Sequence, residues 1–418
     1  MTELKPYPEY KDSGVEWLGR LPVDWDICAV GRFVHFRNGA DYASVEVEEG
    51  GYPVYGSGGE FRRASSYLFE GESVLFGRKG TVDKPLHVNG RFWTVDTMYY
   101  TDISTNHLLP RFVYYWAAQL PYAYWVTSTA LPSMTQSDLA TAKIPYMSLA
   151  DQAAIVKFLD RETAEIDAFI ANQEELIRLL TERRAATISH AVTKGLDPTA
   201  PTRDSGIEWL GSIPRHWEVR RIKQVGRSLI GLTYSPDDLT ESDDGTIVLR
   251  SGNIKRGLID ISTDVVRVSS LIPAELRTRE GDILICARNG SRALVGKNAI
   301  ITDVTVGETF GAFMSVLRTR DYRFMSWVLN SSLFSSQMGL FSTSTVNQLT
   351  RSTLDNMEIP WPDTAERKRI SDELEEEVGE LDAAVADGRE AIALSRERRA
   401  ALISAAVTGK IDVRDGQA

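Results

Sequence analysis

Two stretches of the sequence place long hydrogen-bond donors directly after a short apolar run. The stretches are Gly71–Gly80 (GESVLFGRKG) and Gly281–Gly290 (GDILICARNG). Each predicts a strand followed by a turn that presents Arg78 and Lys79 in the first copy, and Arg288 and Asn289 in the second. Arginine can fork onto guanine O6 and N7 or clasp a phosphate, and asparagine can pair with an adenine edge. The alternative is an ordinary hairpin with a solvated arginine.

Two loops rich in hydroxyls and amides provide further candidate contacts to a nucleic acid. They span Ser128–Gln136 and Thr343–Arg351. Such side chains suit phosphate oxygens and base edges, but serine and threonine also bond within local turns, and both interpretations stay open. The candidate binding residues taken from these loops are Ser133, Gln136, Asn347 and Gln348.

A basic run between residues 215 and 227 is a third candidate for phosphate binding. It holds Arg221 and Lys223, with Glu218 as its one acid, and a solvated helix face explains it equally well. The remaining candidates for DNA binding are Ser57, Ser251, Asn253 and Arg292, which lie in or beside predicted turns.

Catalytic signatures are missing from the sequence. There is no GxxxxGK[ST] phosphate loop, no GxGxxG fingerprint and no histidine pair at metal-binding spacing. Asp363 followed by Glu366 and Lys368 imitates a nuclease motif, but only two residues separate the two carboxylates, so a helix cap explains them better. We therefore expect neither an enzyme nor a metal site in this chain.

Composition limits the class of protein further. The chain has 418 residues, of which 43% are hydrophobic, enough for two to four domains of roughly 100 to 200 residues. Its net charge of −11 argues against a generally polybasic nucleic-acid binder. Two distant cysteines, no apolar run of membrane-spanning length and no apolar leader predict a cytoplasmic protein that contacts no membrane.

An internal duplication organises the chain. Asp12–Trp25 returns as Asp204–Trp217 with nine of fourteen residues identical, and Glu182–Thr193 returns as Glu397–Thr408. The two offsets, 192 and 215, differ by 23 residues, so the middle of the second half is longer than that of the first. The sequence therefore predicts two copies of one mixed, β-rich domain with divergent middles.

Each copy ends in a segment almost free of glycine and proline, which predicts a long helix. Ser148 with Asp151, and Asp363 with Glu366, form matching N-terminal caps. Apolar residues recur every eleven positions and predict a narrow stripe along a rod of about 60 Å, at 1.5 Å per residue. The predicted seam between the two helices comprises Ile155, Leu159, Ile166, Ile170, Ile177, Ile370, Leu374, Leu381, Val385 and Ile392. The alternative is that each helix only covers its own domain.

The duplicated charged sequence Glu-Arg-Arg lies on each helix and is a candidate surface for a partner protein, through Arg183, Arg184, Arg398 and Arg399. The alternative there is a set of ion pairs within each helix. The predicted organisation is a first domain at 1–147, a helix at 148–193, a linker at 194–203, a second domain at 204–362, a helix at 363–408 and a tail at 409–418.

Over nearly its whole length the sequence resembles the specificity subunit of type I restriction-modification enzymes. The resemblance rests on DSGVEWLGRLPVDW and DSGIEWLGSIPRHW, on Tyr52–Gly59 and Leu249–Ile254, on the paired turns, and on the Ile-Pro that precedes each helix. It implies an α+β fold in which two mixed α/β target-recognition domains are separated by two long antiparallel helices, with a pseudo-twofold internal repeat.

The resemblance also implies a function. Each domain would read one half of a bipartite site in double-stranded DNA, and the helices would dock two modification subunits. Catalysis would belong to the modification subunits and the restriction/translocase subunits, which would bind S-adenosylmethionine, ATP and Mg²⁺, while this chain would bind no cofactor. A two-domain protein scaffold that never touches DNA is the alternative.

Overall fold

The computed structural model describes residues 5–125, 132–341 and 347–414. The chain divides into two compact units, one formed by residues 1–174 with 390–418 and the other by residues 175–389. Each unit combines a β-rich segment with one part of each long helix, so the unit boundaries fall inside the helices.

The first unit consists mainly of strands, and two short helices precede the last strand. Its strands are β1 (Tyr10–Asp12), β2 (Arg20–Pro22), β3 (Asp26–Ala29), β4 (Val34–Asn38), β5 (Glu46–Val47), β6 (Tyr52–Gly56), β7 (Gly59–Ala64), β8 (Phe69–Gly77), β9 (Leu86–Thr94), β10 (Met98–Ile103) and β11 (Lys143–Tyr146). Its short helices are α1 (Pro110–Ala117) and α2 (Gln136–Thr141).

A seven-stranded sheet dominates this unit, in the order β4-β10-β8-β9-β6-β7-β5. Its neighbours are antiparallel except β6 and β9, which run parallel. The aromatic residues of α1 pack against this sheet, and Trp116 is fully buried in the core. β11 pairs with β3 and therefore ties the segment that precedes the long helix to the start of the domain.

The long helices are α3 (Leu149–Lys194) and, at the end of the chain, Thr364–Val407. The predicted caps are confirmed: the Asp151 N–H donates to Ser148 Oγ at 3.1 Å, and the Glu366 N–H donates to Asp363 Oδ1 at 2.8 Å. The resemblance of Asp363 and Glu366 to a nuclease motif is thus explained by capping.

The second unit repeats the plan with shorter strands. They are β12 (Thr202–Asp204), β13 (Ser212–Pro214), β14 (Glu218–Arg221), β15 (Arg227–Ile230), β16 (Leu239–Thr240), β17 (Thr246–Leu249), β18 (Ile254–Lys255), β19 (Leu258–Ile259), β20 (Arg267–Val268), β21 (Ile283–Cys286), β22 (Asn298–Ile300), β23 (Thr309–Phe310), β24 (Met314–Arg318) and β25 (Glu358–Trp361). Its helices are α4 (Ile222–Val225), α5 (Tyr322–Leu329), α6 (Ser332–Phe341), α7 (Arg351–Asn356) and the first part of the long helix α8 (Thr364–Val407).

Two four-stranded sheets replace the single large sheet here. Their orders are β15-β24-β21-β22 and β16-β20-β17-β23, and β17 runs parallel to β23 as β6 runs parallel to β9. β14 pairs with β25, which repeats the pairing of β3 with β11. The duplication read from the sequence is therefore present in the topology as well.

Most of the predicted helix seam is buried, but its outer ends belong to the domain cores. Ile155 and Leu159 join the core of the first unit, and Ile370 and Leu374 join that of the second. Ile166, Leu381, Val385 and Ile392 are also buried, whereas Ile170 and Ile177 are only half-buried. The helix ends therefore pack on each other and cover their own domains at the same time, so the two alternatives are not exclusive.

Three further properties concern the described parts of the chain. None of their helices is long and apolar enough to cross a membrane. They contain no cluster of three or more histidine, cysteine or acidic residues that could hold a metal ion. Cys28 and Cys286 are free thiols.

Candidate nucleic-acid interface

In the second unit, the turn that carries Arg288 and Asn289 is held by two other segments. We call this turn, and its counterpart at Arg78 and Lys79, the predicted reading turns. Beyond the end of β21, the N–H groups of Ala287 and Arg288 donate to the carbonyl of Phe313 at 2.9 and 3.0 Å. Arg288 also forms an antiparallel bridge with Gln348. The turn after β21, the turn before β24 and the loop before α7 therefore meet around Arg288.

Side chains of the predicted site complete this meeting point. Asn289 Nδ2 donates to Ser251 Oγ at 3.2 Å, and Asn347 Nδ2 donates to the Gly290 carbonyl at 3.0 Å. The structure thus brings together residues that are up to 97 positions apart in the sequence. The Nδ2 group of each amide donates a hydrogen bond within the protein. Asn289 and Asn347 therefore stabilise the shape of this surface as well as line it.

Arg288 itself stays available for a ligand. It is exposed, its guanidinium lies 5.3 Å from the centre of the Phe313 ring, and no carboxylate of the described residues lies within 4 Å of it. Burial raises the pKa of the Cys286 thiol beneath the turn, so that the thiol is neutral at physiological pH and acts as packing. The local positive charge of Arg288 is therefore uncompensated.

The first unit builds the same arrangement. Beyond the end of β8, the N–H groups of Arg78 and Lys79 donate to the carbonyl of Thr97 at 2.8 and 3.4 Å. Lys79 forms an antiparallel bridge with Ser133, and the Met134 N–H donates to the Arg78 carbonyl at 3.1 Å. The loop before α2 therefore closes on this turn as the loop before α7 closes on the other.

The register of these bonds corrects the alignment of the two turns by one residue. Lys79 bridges to its loop as Arg288 does, which makes Lys79 the structural counterpart of Arg288. Arg78 then corresponds to the buried Ala287, and its guanidinium donates to the Asp96 carbonyl at 3.3 Å. The sequence motifs alone pair Arg78 with Arg288. Because a shift of one residue in a strand moves each side chain to the opposite face, that pairing assigned the outward position to the wrong residue.

The loop before α2 carries both local and outward-facing groups. Thr135 caps α2 in a reciprocal arrangement with Asp138, and Thr350 caps α7 by accepting the Thr353 N–H, so these hydroxyls are used within their turns. Gln136 is half-buried and donates to Asn38 Oδ1 of β4 at 3.2 Å. Residues 126–131 and 342–346 of the predicted loops lie outside the described part of the chain.

Ser57 occupies the place in the first unit that Ser251 occupies in the second. Tyr55 of β6 pairs with Thr94 of the parallel strand, and Leu249 of β17 pairs with Phe310, so each serine follows such a pair by two residues. Among the described residues, no hydrogen bond joins Ser57 to the turn at Lys79. The counterpart contact in the second unit uses the Asn289 side chain, and Gly80 stands in its place here. Ser57 remains a candidate by position only.

Asn253 has a structural role instead of the predicted DNA contact. It is only 1% exposed, its Oδ1 accepts the Arg250 N–H at 2.9 Å, and its Nδ2 donates to the Asp260 carbonyl at 3.2 Å. A buried amide with both ends occupied fixes the loop after β17 and cannot reach a base edge.

Arg221 and Lys223 lie away from the turn at Arg288. Arg221 Nε is 3.4 Å from Glu358 Oε1, and Lys223 Nζ donates to Asn356 Oδ1 at 2.8 Å. Asn356 ends α7, whereas the loop with Gln348 precedes the start of that helix. The structure therefore does not join these two cations to the reading turn through any described contact, and a phosphate role for them stays a prediction.

Arg292 lies beside the reading turn on the wall of a cavity of about 370 Å³. The cavity is also lined by Lys297, Asn330, Asn347 and Gln348. Arg292 is exposed, and it shares this wall with two residues of the loop that bridges to Arg288. The structure thus places Arg292 at the predicted site.

The arginines predicted to face a partner in the second unit form ion pairs between the helices. Arg184 of α3 binds Asp382 of α8 through Nε at 2.7 Å and Nη2 at 3.2 Å. Arg183 lies 3.2 Å from Glu377 and has a side chain that is 67% exposed. The alternative of ion pairs within a single helix is therefore wrong for this pair of residues.

The first unit repeats both contacts. Arg399 binds Asp167 through Nε at 2.8 Å and Nη2 at 3.2 Å, and Arg398 lies 3.9 Å from Glu162. Arg398 is 56% exposed. Within each unit the helix segments are thus antiparallel, and of these four arginines Arg183 and Arg398 are left largely open to solvent.

Comparison with solved structures supports this architecture. A chain from a study of complex assembly and conformational transition of the type I R-M system superposes with a TM-score of 0.64 at 17% identity, covering 93% of this chain and 98% of that one. The HsdS subunit from Thermoanaerobacter tengcongensis gives a TM-score of 0.50 at 16% identity, covering 94% and 98%. At such identities these likenesses concern the fold alone.

Sequence comparison finds related proteins. Residues 22–178 match the type I restriction modification DNA specificity domain. The specificity subunit of the type I restriction enzyme EcoKI from Escherichia coli K12 is 28% identical over 208 residues. The first part of the chain is thus similar to type I restriction specificity subunits. The MjaVIII specificity subunit of Methanocaldococcus jannaschii is 22% identical over 95% of both chains.

The match with the EcoKI subunit covers 48% of this chain and 44% of that relative, so it spans less than half of each. The chain carries its duplicated motifs in both halves, and Asp204–Trp217 lies beyond the region that the family domain matches. The internal repeat therefore extends the resemblance to the second unit.

Sequence reasoning missed three residues at the two turns. Thr97 and Phe313 accept the turn N–H groups through their carbonyls, and Asn38 accepts from Gln136. Each lies on a strand or turn that is distant in sequence from the motif it completes. Only a predicted pairing of β10 with β8 and β4, or of β24 with β21, could have pointed to them.

Proposed function

We propose that this chain is the DNA-reading subunit of a type I restriction-modification enzyme, in which each unit binds one half of a split double-stranded site. The observation that carries the proposal is that both units build the same turn but place different side chains on it. Lys79 with Gly80 in one copy stands where Arg288 with Asn289 stands in the other. A bipartite and asymmetric target requires two readers of equal build and unequal chemistry.

The chemistry of the turns supports double-stranded DNA as the ligand. Lys79 and Arg288 are exposed, and within the described residues neither has a carboxylate within 4 Å. Arginine binds guanine in two-pronged fashion, whereas lysine acts as a point charge on a base or a phosphate. The overall charge of −11 implies that other subunits supply much of the neutralisation of the DNA backbone.

The remaining roles in the proposal concern partners. The helices would hold the two readers at a fixed spacing and dock two modification subunits, with Arg183 and Arg398 as the candidate contacts. This chain would be non-catalytic. Adenine methylation with S-adenosylmethionine, and translocation and cleavage with ATP and Mg²⁺, would belong to the modification and restriction/translocase subunits. Such an enzyme would act in the cytoplasm, where its DNA substrate lies.

The test is DNA binding by the full chain assembled with modification subunits. We expect retention of random-sequence duplex on filters that weakens steeply with salt, and methylation mapping should return one bipartite site. Absence of binding at low salt by the assembled complex would favour the protein-scaffold alternative. Loss of one half-site in an Arg288→Ala complex, with the other intact, would assign the second reader.

A further inference from the structure

An aromatic side chain that sequence reasoning did not single out lies at the centre of the second turn. Phe313 is 61% exposed, in the tight turn between β23 and β24 that is closed by a bond from the Met314 N–H to the Gly311 carbonyl at 2.8 Å. Single exposed apolar residues are common on protein surfaces, so exposure alone would not distinguish it.

Its contacts do distinguish it. The Phe313 carbonyl accepts from both Ala287 and Arg288, which fixes the backbone of the two turns together. The Arg288 guanidinium lies 5.3 Å from the ring centre. An arginine held over an aromatic ring is restricted in its rotamers and presents its N–H edge in a preferred direction. Phe313 thus positions Arg288 and leaves its own exposed ring beside it.

The first unit has a different side chain at this position. Thr97 accepts from Arg78 and Lys79 through its carbonyl as Phe313 does from Ala287 and Arg288. The exchange replaces a small hydroxyl residue by a phenyl ring at the same backbone position. The side chain at this position therefore differs between the two units, as the side chains of the turns do.

The chemistry of the major groove suggests what such a ring would contact. Each thymine carries a C5 methyl group there, and phenylalanine is among the side chains that read it through apolar contact. Guanine presents O6 and N7 at the same groove edge, which an arginine fork reads. A ring and a guanidinium side by side match a thymine adjacent to a guanine.

We propose that Phe313 is a specificity-determining residue of the second reader and that it recognises the C5 methyl group of a thymine next to the guanine bound by Arg288. The inference rests on the proposed function. It deepens that function by naming one chemical group within the half-site.

Deoxyuridine provides the test, because it pairs as thymine does and lacks only the methyl group. The full chain, assembled with its modification subunits, would first select its site from a random-sequence duplex library. Each thymine in the half-site that Arg288→Ala relaxes would then be replaced by deoxyuridine, one at a time. We expect one replacement to weaken binding by about fourfold, the effect of burying a single methyl group at 25 °C.

Variants of Phe313 make the test specific. Phe313→Ala should bind the thymine and deoxyuridine duplexes alike, and Phe313→Leu should retain part of the preference. Leu271→Ala is the matched control, since Leu271 is 94% exposed and lies in the loop after β20. The ring is largely exposed, so circular dichroism should remain unchanged in all three variants.

Three results would overturn the inference. The first is that Phe313→Ala, compared with the unmodified complex, loses affinity equally for the thymine and the deoxyuridine duplexes. The ring would then contact the DNA by stacking or insertion and would not recognise the methyl group. A half-site without a required thymine, or a deoxyuridine effect that persists in Phe313→Ala, would also contradict it. Failure of the unmodified complex to bind any duplex would instead reject the proposed function, and this inference with it.

Discussion

Arg184 on α3 and Asp382 on α8 are joined by a two-pronged ion pair, and Arg399 and Asp167 reproduce it in the other unit with Nε–Oδ1 distances of 2.7 and 2.8 Å. Both pairs are related by the offset of 215 residues that the repeat shows. The same two segments therefore contact each other twice with exchanged roles. Bidentate geometry between arginine and a carboxylate fixes orientation as well as distance.

The first prediction concerns the strength of this pair. The Arg184 and Asp382 side chains are 34% and 53% exposed, so solvent screening leaves a coupling of only about 0.5 kcal/mol. A double-mutant cycle with Arg184→Ala and Asp382→Asn, followed by chemical denaturation at low and high salt, measures it. The coupling should fall at high salt. A coupling of several kcal/mol, unchanged by salt, would contradict the prediction.

The second prediction concerns the two exposed arginines. Arg183 and Arg398 make longer contacts than their neighbours, at 3.2 and 3.9 Å, and are available to a partner protein. The charge reversals Arg183→Glu and Arg398→Glu should reduce co-purification with the modification subunit while the far-UV circular dichroism stays the same. Reversal of charge at these positions would also repel acidic groups of α8 and α3, respectively.

A matched control separates the two effects. Arg178 is 52% exposed on α3, and its partners Glu175 and Glu182 lie on that same helix. Arg178→Glu should therefore leave assembly intact. If all three variants co-purify as the unmodified chain does, Arg183 and Arg398 only link the helices.

The third prediction separates base reading from phosphate binding at the turns. Arg288→Lys should lose about 1 to 3 kcal/mol of discrimination at one base pair of the second half-site, because lysine cannot form the bidentate contact. Lys79→Ala should weaken all sequences alike and reduce the salt slope by about one. Methylation by the assembled complex on duplexes altered one position at a time, at two salt concentrations, measures both.

The corrected register supplies the control for that experiment. Arg78 donates to the Asp96 carbonyl and corresponds to Ala287, so Arg78→Ala should change DNA binding less than Lys79→Ala does. A larger effect at Arg78 would mean that the register of the turns is not what orients the reader. Relaxation of the first half-site by Arg288→Lys would contradict the assignment of one reader to each half.

The fourth prediction tests the structural role of Asn253. Asn253→Ala leaves the Arg250 N–H and the Asp260 carbonyl without their partner and should destabilise the chain by about 1 to 3 kcal/mol. Sequence preference among bound duplexes should not change. Thermal unfolding together with the duplex panel checks both expectations. A change of preference without loss of stability would restore Asn253 as a reading residue.

The sequence by itself determined the features that depend on local patterns or on the repeat. Caps such as Ser148 with Asp151 involve neighbours three residues apart, and helix stripes follow from a fixed number of residues per turn, so both can be read directly. The duplication and the resemblance to type I specificity subunits likewise follow from residues compared along the chain. The location of the reading turns belongs to this group too, since a strand and its turn are contiguous.

Only the tertiary structure decided which side chains those turns present. The equivalence of Lys79 with Arg288 depends on a register set by Ser133 and Gln348, which are 54 and 60 residues away. The burial of Asn253, the pairing of Arg184 with Asp382 and the placement of Phe313 beside Arg288 likewise join distant segments. Successive side chains in a strand point to opposite faces of the sheet. A linear motif therefore does not show which face a given side chain takes, and the register set by contacts with distant segments determines it.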